Sequence, residues 1–277
     1  MKKYPPYSVL MSVYSKENPI FLRESIDSML NQTVGPNEFV LVEDGPLTDE
    51  LYEVIDNYVQ KYPKVFKEIR LKKNVGLGPA LRIGVNRCHN EWIARADSDD
   101  ISFPDRMETQ LIRIMKEPRI DIIGANHIEF IDSIYNKSSF LYKKLPSSNS
   151  QIKEYAKRRN PFSHSVLTIR KSKIVEAGNY RKCEYLEDYD LWVRMIKTGA
   201  YCENINNYLS YVRVSKDLYK RRGGLKYLKK IRAFKKNLYK SGFCSSRDYI
   251  VSVTIHSIIC LIPNNMRNQF YKKILRK

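Results

Sequence analysis

The chain has 277 residues, 43% hydrophobic and 12% aromatic, which is ample for a packed core and excludes a disordered chain. The formal net charge is +19, but it is unevenly placed: from Tyr211 onward 18 Lys and Arg stand against only Asp217 and Asp248. A near-neutral front part therefore carries a basic tail, which either meets phosphates (anionic lipid, nucleic acid or a diphosphate ligand) or is a solvated face without a partner.

The run Ser8-Val9-Leu10-Met11-Ser12-Val13-Tyr14 predicts a buried strand. Asn18-Pro19 reads as a helix cap with proline at the first helical position, followed by Phe21, Leu22, Ile26, Met29 and Leu30 at helical spacing. Residues 38–43 predict a second strand that ends in Asp44-Gly45-Pro46. Thr48 then caps a helix with Asp49 and Glu50 in its first turn, where they complement the helix dipole. A third strand is expected over 66–71, a helix over 76–88, a fourth strand over 91–96, a helix over 104–115 and a fifth strand over 120–124. Ser147-Ser148-Asn149-Ser150 reads as a polar loop, Glu187 opens a helix, and Tyr211-Val212-Arg213 reads as a strand. Strands alternating with helices on short connections imply βαβ units and an α/β fold with a mainly parallel sheet. Such sheets bind ligands at the carboxyl ends of their strands, here just after Val13, Val42 and Ala96.

Cys88, Cys183, Cys202, Cys244 and Cys260 are scattered and form no CxxC, and the four histidines show no ligand spacing. Neither a disulfide framework nor a thiolate zinc site is expected, and a reducing cytosol fits best. The N-terminus is too short in apolar residues for a signal sequence. The longest apolar stretch, residues 249–262, falls short of the roughly 20 residues that a membrane span needs. It reads as an interfacial or buried helix.

Carboxylates gather at the expected strand ends. Asp97-Ser98-Asp99-Asp100 follows the fourth strand, and three carboxylates in four positions repel one another unless a cation or a ring of donors intervenes. Asp97 and Asp99 project to the same side of an extended chain, which suits a hard divalent ion that keeps waters and takes substrate phosphates. The other reading is a turn that caps the helix after Pro104. Asp44 either accepts hydrogen bonds from a ribose or base, or is the turn carboxylate of Asp-Gly-Pro. Glu187-Asp188-Tyr189-Asp190-Leu191-Trp192 either caps a helix or forms a sugar site, with the indole as apolar face and a carboxylate binding or deprotonating a hydroxyl.

Tyr14, Glu43-Asp44-Gly45, Asn74-Val75-Gly76-Leu77, Asp97-Ser98-Asp99-Asp100 and Glu187-Asp188-Tyr189-Asp190-Leu191-Trp192 occur in this order. Together they resemble glycosyltransferase family 2, of the GT-A fold, and nearly the whole chain is similar to exopolysaccharide transferases of the amylovoran-biosynthesis type. The resemblance implies an inverting single displacement. It assigns Tyr14, Glu17, Asp44, Asn74, Gly76, Arg82 and Asp97 to the nucleotide. It gives Asp99 to Mg²⁺ or Mn²⁺ on the diphosphate, Asp188 to the general base, and Glu187 and Trp192 to the acceptor side. Leu81-Arg82 replaces the family's usual Arg-Asn pair. The QxxRW motif of processive synthases is absent, which favours transfer of one sugar. By family tendency the donor is a UDP-sugar and the acceptor a lipid-linked saccharide.

His164, in Asn160-Pro161-Phe162-Ser163-His164, either lines the acceptor cleft or simply packs. Arg213, Arg221 and Arg222, with Gly223-Gly224 behind them, suggest a loop closing on the diphosphate; the alternative is a solvated hinge. Leu225, Leu228, Ile231, Phe234 and Leu238 form a helical stripe among lysines, which lies on an anionic membrane or packs on its own domain. The expected organisation is a catalytic domain over 1–215 and a basic amphipathic helical extension over 216–277. The expected location is cytoplasmic, peripheral at the inner face of the bacterial cell membrane. Two competing readings are a nucleic-acid-binding protein, for which no recognisable module is present, and a nucleotidyltransferase, which would carry a glycine-rich loop where Tyr14-Ser15-Lys16-Glu17 stands.

Overall fold

A computed structural model describes residues 3–131, 133–214 and 223–262. Strands β1 (Tyr7–Val13), β2 (Glu38–Glu43) and β4 (Trp92–Arg95) are buried along their whole length, the mark of parallel strands covered on both faces. With β3 (Phe66–Arg70) at the edge, they form a parallel β3-β2-β1-β4 half-sheet. The order continues through β8 (Thr168–Arg170), β6 (Ile120–Phe130), β9 (Tyr201–Arg213) and β5 (Ile101–Ser102), with β7 (Leu141–Lys143) on β6. Here β6 and β9 run parallel, while β8, β5 and β7 join antiparallel, so the second half of the sheet is mixed.

Alternation along the strands divides the core into two layers. Val9 and Met11 face α1 (Pro19–Leu30), α2 (Asp49–Lys61) and α4 (Arg106–Lys116) through Leu22, Ile26, Leu51, Ile55, Met107 and Leu111. Leu10, Val40 and Val42 face α3 (Leu77–Arg87), α6 (Lys171–Glu176) and α7 (Glu187–Lys197) through Leu81, Val85, Ile174, Leu191 and Met195. The Asn18 side chain accepts from Ile20 N at 2.8 Å, as the Asn-Pro start predicts. Thr48 occupies the expected cap position of α2 but makes no side-chain cap bond.

Three differences from the sequence reading have local causes. The expected polar loop at 147–150 instead opens α5 (Asn149–Ala156), because Ser148 and Gln151 form a reciprocal capping box. The strand expected over 120–124 runs on to Phe130, and the strand expected at 211–213 begins at Tyr201. These two pair along their length; polar Asn126 and Asn206 sit at a register shift and Asn204 lies in the paired stretch just before it, which masks the pattern. The basic stripe forms α8 (Gly224–Lys240), whose Ile231, Phe234 and Leu238 pack on Leu186, Tyr189 and Val193 of the α7 region. Packing on its own domain is therefore the alternative realised for that stripe. Helix α9 (Ser246–Leu261) lies against α8 and is opened by a Ser245–Asp248 capping box. Among the described residues no helix is long and apolar enough to cross a membrane.

Candidate active site

The register of the parallel half-sheet brings the expected positions to one edge. Asp44 N donates to Val13 O at 2.8 Å and Ala96 N to Leu10 O at 3.1 Å, so Asp44 and Asp97 leave the two strands that flank β1 at the same end of the sheet. Tyr14, 40% exposed, stands at the end of β1 beside them.

The Asp97-Ser98-Asp99-Asp100 loop is held from several sides. Ser25 Oγ donates to Asp97 O at 2.6 Å, and Ser98 Oγ donates to Glu17 Oε2. Arg95, buried in β4, turns its guanidinium to Asp97 Oδ1 and Ala96 O. Below it lies Arg106, fully buried, whose guanidinium donates to Ser102 Oγ, Ser165 O, Arg95 O and Leu167 O at 2.8–3.0 Å. Burial lowers the Arg106 pKa to about 10, so it stays cationic at neutral pH.

Burial, and then the neighbouring charges of Asp97 and Glu17, push the Asp99 carboxyl up to about 7. Asp100, buried and beside Asp99 and Asp97, is also raised, and among the described residues its Oδ2 has no hydrogen-bond partner. A group of hard oxygen donors under mutual repulsion fits a divalent cation, which would stabilise the ionised form of each carboxylate. Among the described residues no three His, Cys, Asp or Glu side chains converge on one point. An ion here would accordingly take its remaining ligands from substrate phosphate and water, the habit of Mg²⁺ and Mn²⁺ sites.

The first turn of α7 lies near this loop, close enough for Asp97 to act on Glu187. Gly78 lets the start of α3 pack against it: a Cβ there would meet Arg181 O at 2.3 Å and Glu187 Cβ at 3.2 Å. Burial, together with Asp188 and Asp97, raises the Glu187 carboxyl to about 7. Asp188 accepts from Asn160 Nδ2 at 2.6 Å and from Tyr189 N at 2.7 Å. Tyr180, buried behind them, is raised well above its ordinary value, chiefly by burial, and bonds His164 Nε2 at 2.9 Å. His164 is pushed down to about 3 by burial and by the nearby Arg95, so it is neutral.

Several sequence assignments change. Trp192 cannot touch an acceptor, because it is completely buried on the inner face of α7, edge-on to Phe162, His164 and Tyr180. Asp44 is 5% exposed, and its two oxygens accept from Val75 N at 2.7 Å and Gly76 N at 3.0 Å, while Asn74 Nδ2 donates to Asp44 O. Asp44, Asn74 and Gly76 thus form a brace between the end of β2 and the loop before α3. Gly45 completes it: at φ +91° its missing Cβ leaves room for Asn74 N, which a Cβ would meet at 2.5 Å.

Arg213 is not a free phosphate ligand either. Its guanidinium donates to Asp99 O and Glu24 Oε2 and lies between the Phe21 and Phe130 rings, and its N donates to Asp100 Oδ1 at 2.8 Å. It pins the end of β9 to the acidic loop. Arg82 is exposed on α3, with its carbonyl bonded by Asn179. Arg221 and Arg222 lie outside the described residues. Arg95, Arg106, Asn160 and Tyr180 were given no role from the sequence. The available signal was Arg95, a charge inside an apolar strand that requires a nearby partner.

An α/β sheet with carboxylates at the ends of its parallel strands and a second acidic pair opposite is the layout of a GT-A sugar-nucleotide transferase. The family model "Glycosyl transferase family 2" matches residues 8–177, and the chain belongs to that family. It is 38% identical over 275 residues to an Escherichia coli UDP-Gal:alpha-D-GlcNAc-diphosphoundecaprenol beta-1,3-galactosyltransferase, covering 99% of this chain and 98% of that one. It is 35% identical over 270 residues to the amylovoran biosynthesis glycosyltransferase AmsE of Erwinia amylovora, covering 96% and 98%. The fold is shared with S. aureus TarS 1-349 in complex with UDP-GlcNAc, at TM-score 0.62 and 14% identity, over 98% of this chain and 71% of that one. It is also shared with the Pyrobaculum calidifontis mannosyltransferase PcManGT in complex with GDP-Man and Mn²⁺, at TM-score 0.64 and 11% identity, over 96% and 72%. The protein is a glycosyltransferase, and the nucleic-acid-binding and nucleotidyltransferase readings have no support.

Proposed function

We propose that this glycosyltransferase moves one sugar, with inversion, from a UDP-sugar to a lipid-linked saccharide during synthesis of a surface polysaccharide. One observation carries the reading: Glu187, in the first turn of α7, lies near enough to Asp97 to be raised by its charge, and Asn160 ties the neighbouring Asp188 in place. The two carboxylate sets then stand on either side of a single reacting centre. The named activity of the E. coli relative supplies the donor and acceptor class.

In this reading the acceptor hydroxyl attacks the anomeric carbon, the bond from that carbon to the diphosphate breaks, and the hydroxyl proton passes to Asp188. A positioned carboxylate contributes roughly 10²–10⁴-fold. Glu187, which titrates near neutrality, lies beside Asp188 and binds the acceptor. Tyr14, Glu17 and Arg82 lie on the nucleotide side, Asp97 lies near the ribose and metal, and the Asp44 brace shapes that side from behind. A divalent ion held by Asp99 would supply Lewis-acid stabilisation of the charge that develops on the leaving diphosphate. His164, neutral, lines the acceptor side with Tyr180 behind it.

The catalytic domain spans 1–215 and the basic extension 216–277, and the extension holds the protein at the inner, cytoplasmic face of the bacterial cell membrane, where a lipid-linked acceptor is found. The test is calorimetric titration of the purified protein with UDP, GDP and TDP, with and without Mn²⁺. Metal-dependent binding of UDP alone is the expected result; no binding under any condition would overturn the reading.

A further inference from the structure

We propose that the outer face of α9 is the surface that enters the headgroup layer of an anionic membrane. This rests on the membrane-side reading above and assigns the contact to particular residues. The obvious candidate, the apolar stripe of α8, is already used: Leu228, Ile231, Phe234 and Leu238 are buried, the last three against the α7 region.

Helix α9 is different. Its Asp248, Ser252, Ile259 and Cys260 are buried, and Asp248 pairs with Arg158 at 2.6 Å, which fixes which side faces the protein. The opposite side carries Arg247, Ile250, Thr254, Ile258 and Leu261, spaced three, four, four and three residues apart, a single helical stripe. Ile250 is 60% exposed, Ile258 53% and Leu261 63%, with Ile255 at 44% on the flank. Four large aliphatic side chains on one solvent face of a 16-residue helix form an uncovered apolar strip, too short to span a bilayer.

Charge chooses the occupant. The outer face of α9 carries Arg247, and α8, packed against α9, exposes Lys226, Lys229, Arg232, Lys236 and Lys240. A second copy would bring the same positive charge against this face and be repelled. An anionic lipid surface instead offers opposite charge to the cations and hydrocarbon to the isoleucines, the combination by which interfacial helices bind.

The test is cosedimentation of the full chain with vesicles of phosphatidylglycerol mixed with phosphatidylcholine, against phosphatidylcholine alone. The chain should bind the mixed vesicles, less so as salt rises, and the double variant I255E/I258E should lose binding by on the order of tenfold or more while still binding nucleotide. A second measurement does not depend on that variant folding: Ile258→Trp should show a blue shift in fluorescence when mixed vesicles are added. Wild-type binding unchanged in I255E/I258E, or no blue shift, overturns the assignment to α9 and leaves the membrane reading standing. No binding of the wild type to either vesicle overturns the membrane reading itself. A wild-type dimer that I255E/I258E converts to a monomer identifies the strip as a self-interface and overturns the proposal.

Discussion

Asn160 donates from Nδ2 to Asp188 Oδ2 at 2.6 Å, tying the loop after α5 to the first turn of α7. A carboxylate that must take a proton in a defined direction gains from such a tie, because its other oxygen is then aimed rather than free to rotate. Removing a hydrogen bond to a charged group costs about 1.5–3 kcal/mol, or roughly 10–100-fold in rate. Asn160→Ala should therefore lower kcat by that amount with nucleotide affinity unchanged, as read by steady-state kinetics beside calorimetry. An equal loss of nucleotide binding would show that Asn160 only supports the fold.

Asp188→Asn keeps the shape of the side chain and its contact with Asn160 but removes the proton acceptor. Turnover should fall by roughly 10²–10⁴-fold with the calorimetric affinity for nucleotide retained. Turnover within about tenfold of wild type would transfer the base role to Glu187.

Asp99→Asn should act on the other side of the reaction. The variant removes the carboxylate proposed above to hold a divalent ion, so the gain in nucleotide affinity on adding Mn²⁺ should largely vanish while metal-free binding is unchanged. Wild-type binding that is insensitive to Mn²⁺ and to EDTA would remove the metal assignment altogether.

Trp192 separates packing from substrate contact. Trp192→Phe leaves a cavity against Phe162, His164 and Tyr180 and should cost about 1–3 kcal/mol of stability, read as a lower Tm. The acceptor KM should stay as in wild type, because the indole is completely buried. A raised acceptor KM with unchanged Tm would restore the sugar-platform role.

The parallel half of the fold is legible in the sequence because its central strands are largely apolar runs, two of which end in Asp44 and Asp97, and both elements and site follow from that pattern. The β6–β9 half is not, because polar Asn126, Asn204 and Asn206 sit within those strands, Asn126 and Asn206 at a register shift. Within the site, residue type announced the acids but not their state of engagement. Asp44 and Arg213 look like ligands in sequence, and only tertiary contact shows Asp44 holding Val75 and Gly76 and Arg213 holding the acidic loop. Arg106 is a related case: a basic residue at a helix start gives no sign that its guanidinium will bind two backbone carbonyls, that of Arg95 at the end of β4 and that of Leu167 just before β8. Trp192 beside Glu187 and Asp188 suggests a sugar platform, whereas its indole, one turn along from Asp188, is completely buried against Phe162, His164 and Tyr180.

Lys235 offers a pH test of how the basic extension is joined to the catalytic helix. It is buried in α8, with Nζ donating to Arg158 O at 2.6 Å and to Tyr189 Oη at 3.0 Å. Burial lowers its pKa to about 7, from an ordinary lysine value near 10.4 in the unfolded chain. Between those two values the unfolded chain holds a proton that the folded chain lacks, so this group makes stability rise with pH across that window. Below about pH 7 both states are charged and the full cost of burying the ammonium is present. Lys235→Met keeps most of the volume and removes that cost, at the expense of the two hydrogen bonds. The Tm difference, variant minus wild type, should thus be most favourable to the variant at about pH 6 and shrink steadily toward about pH 9. A difference that is flat over this range would show that the lysine keeps its proton in the fold, held by the Arg158 carbonyl and the Tyr189 hydroxyl.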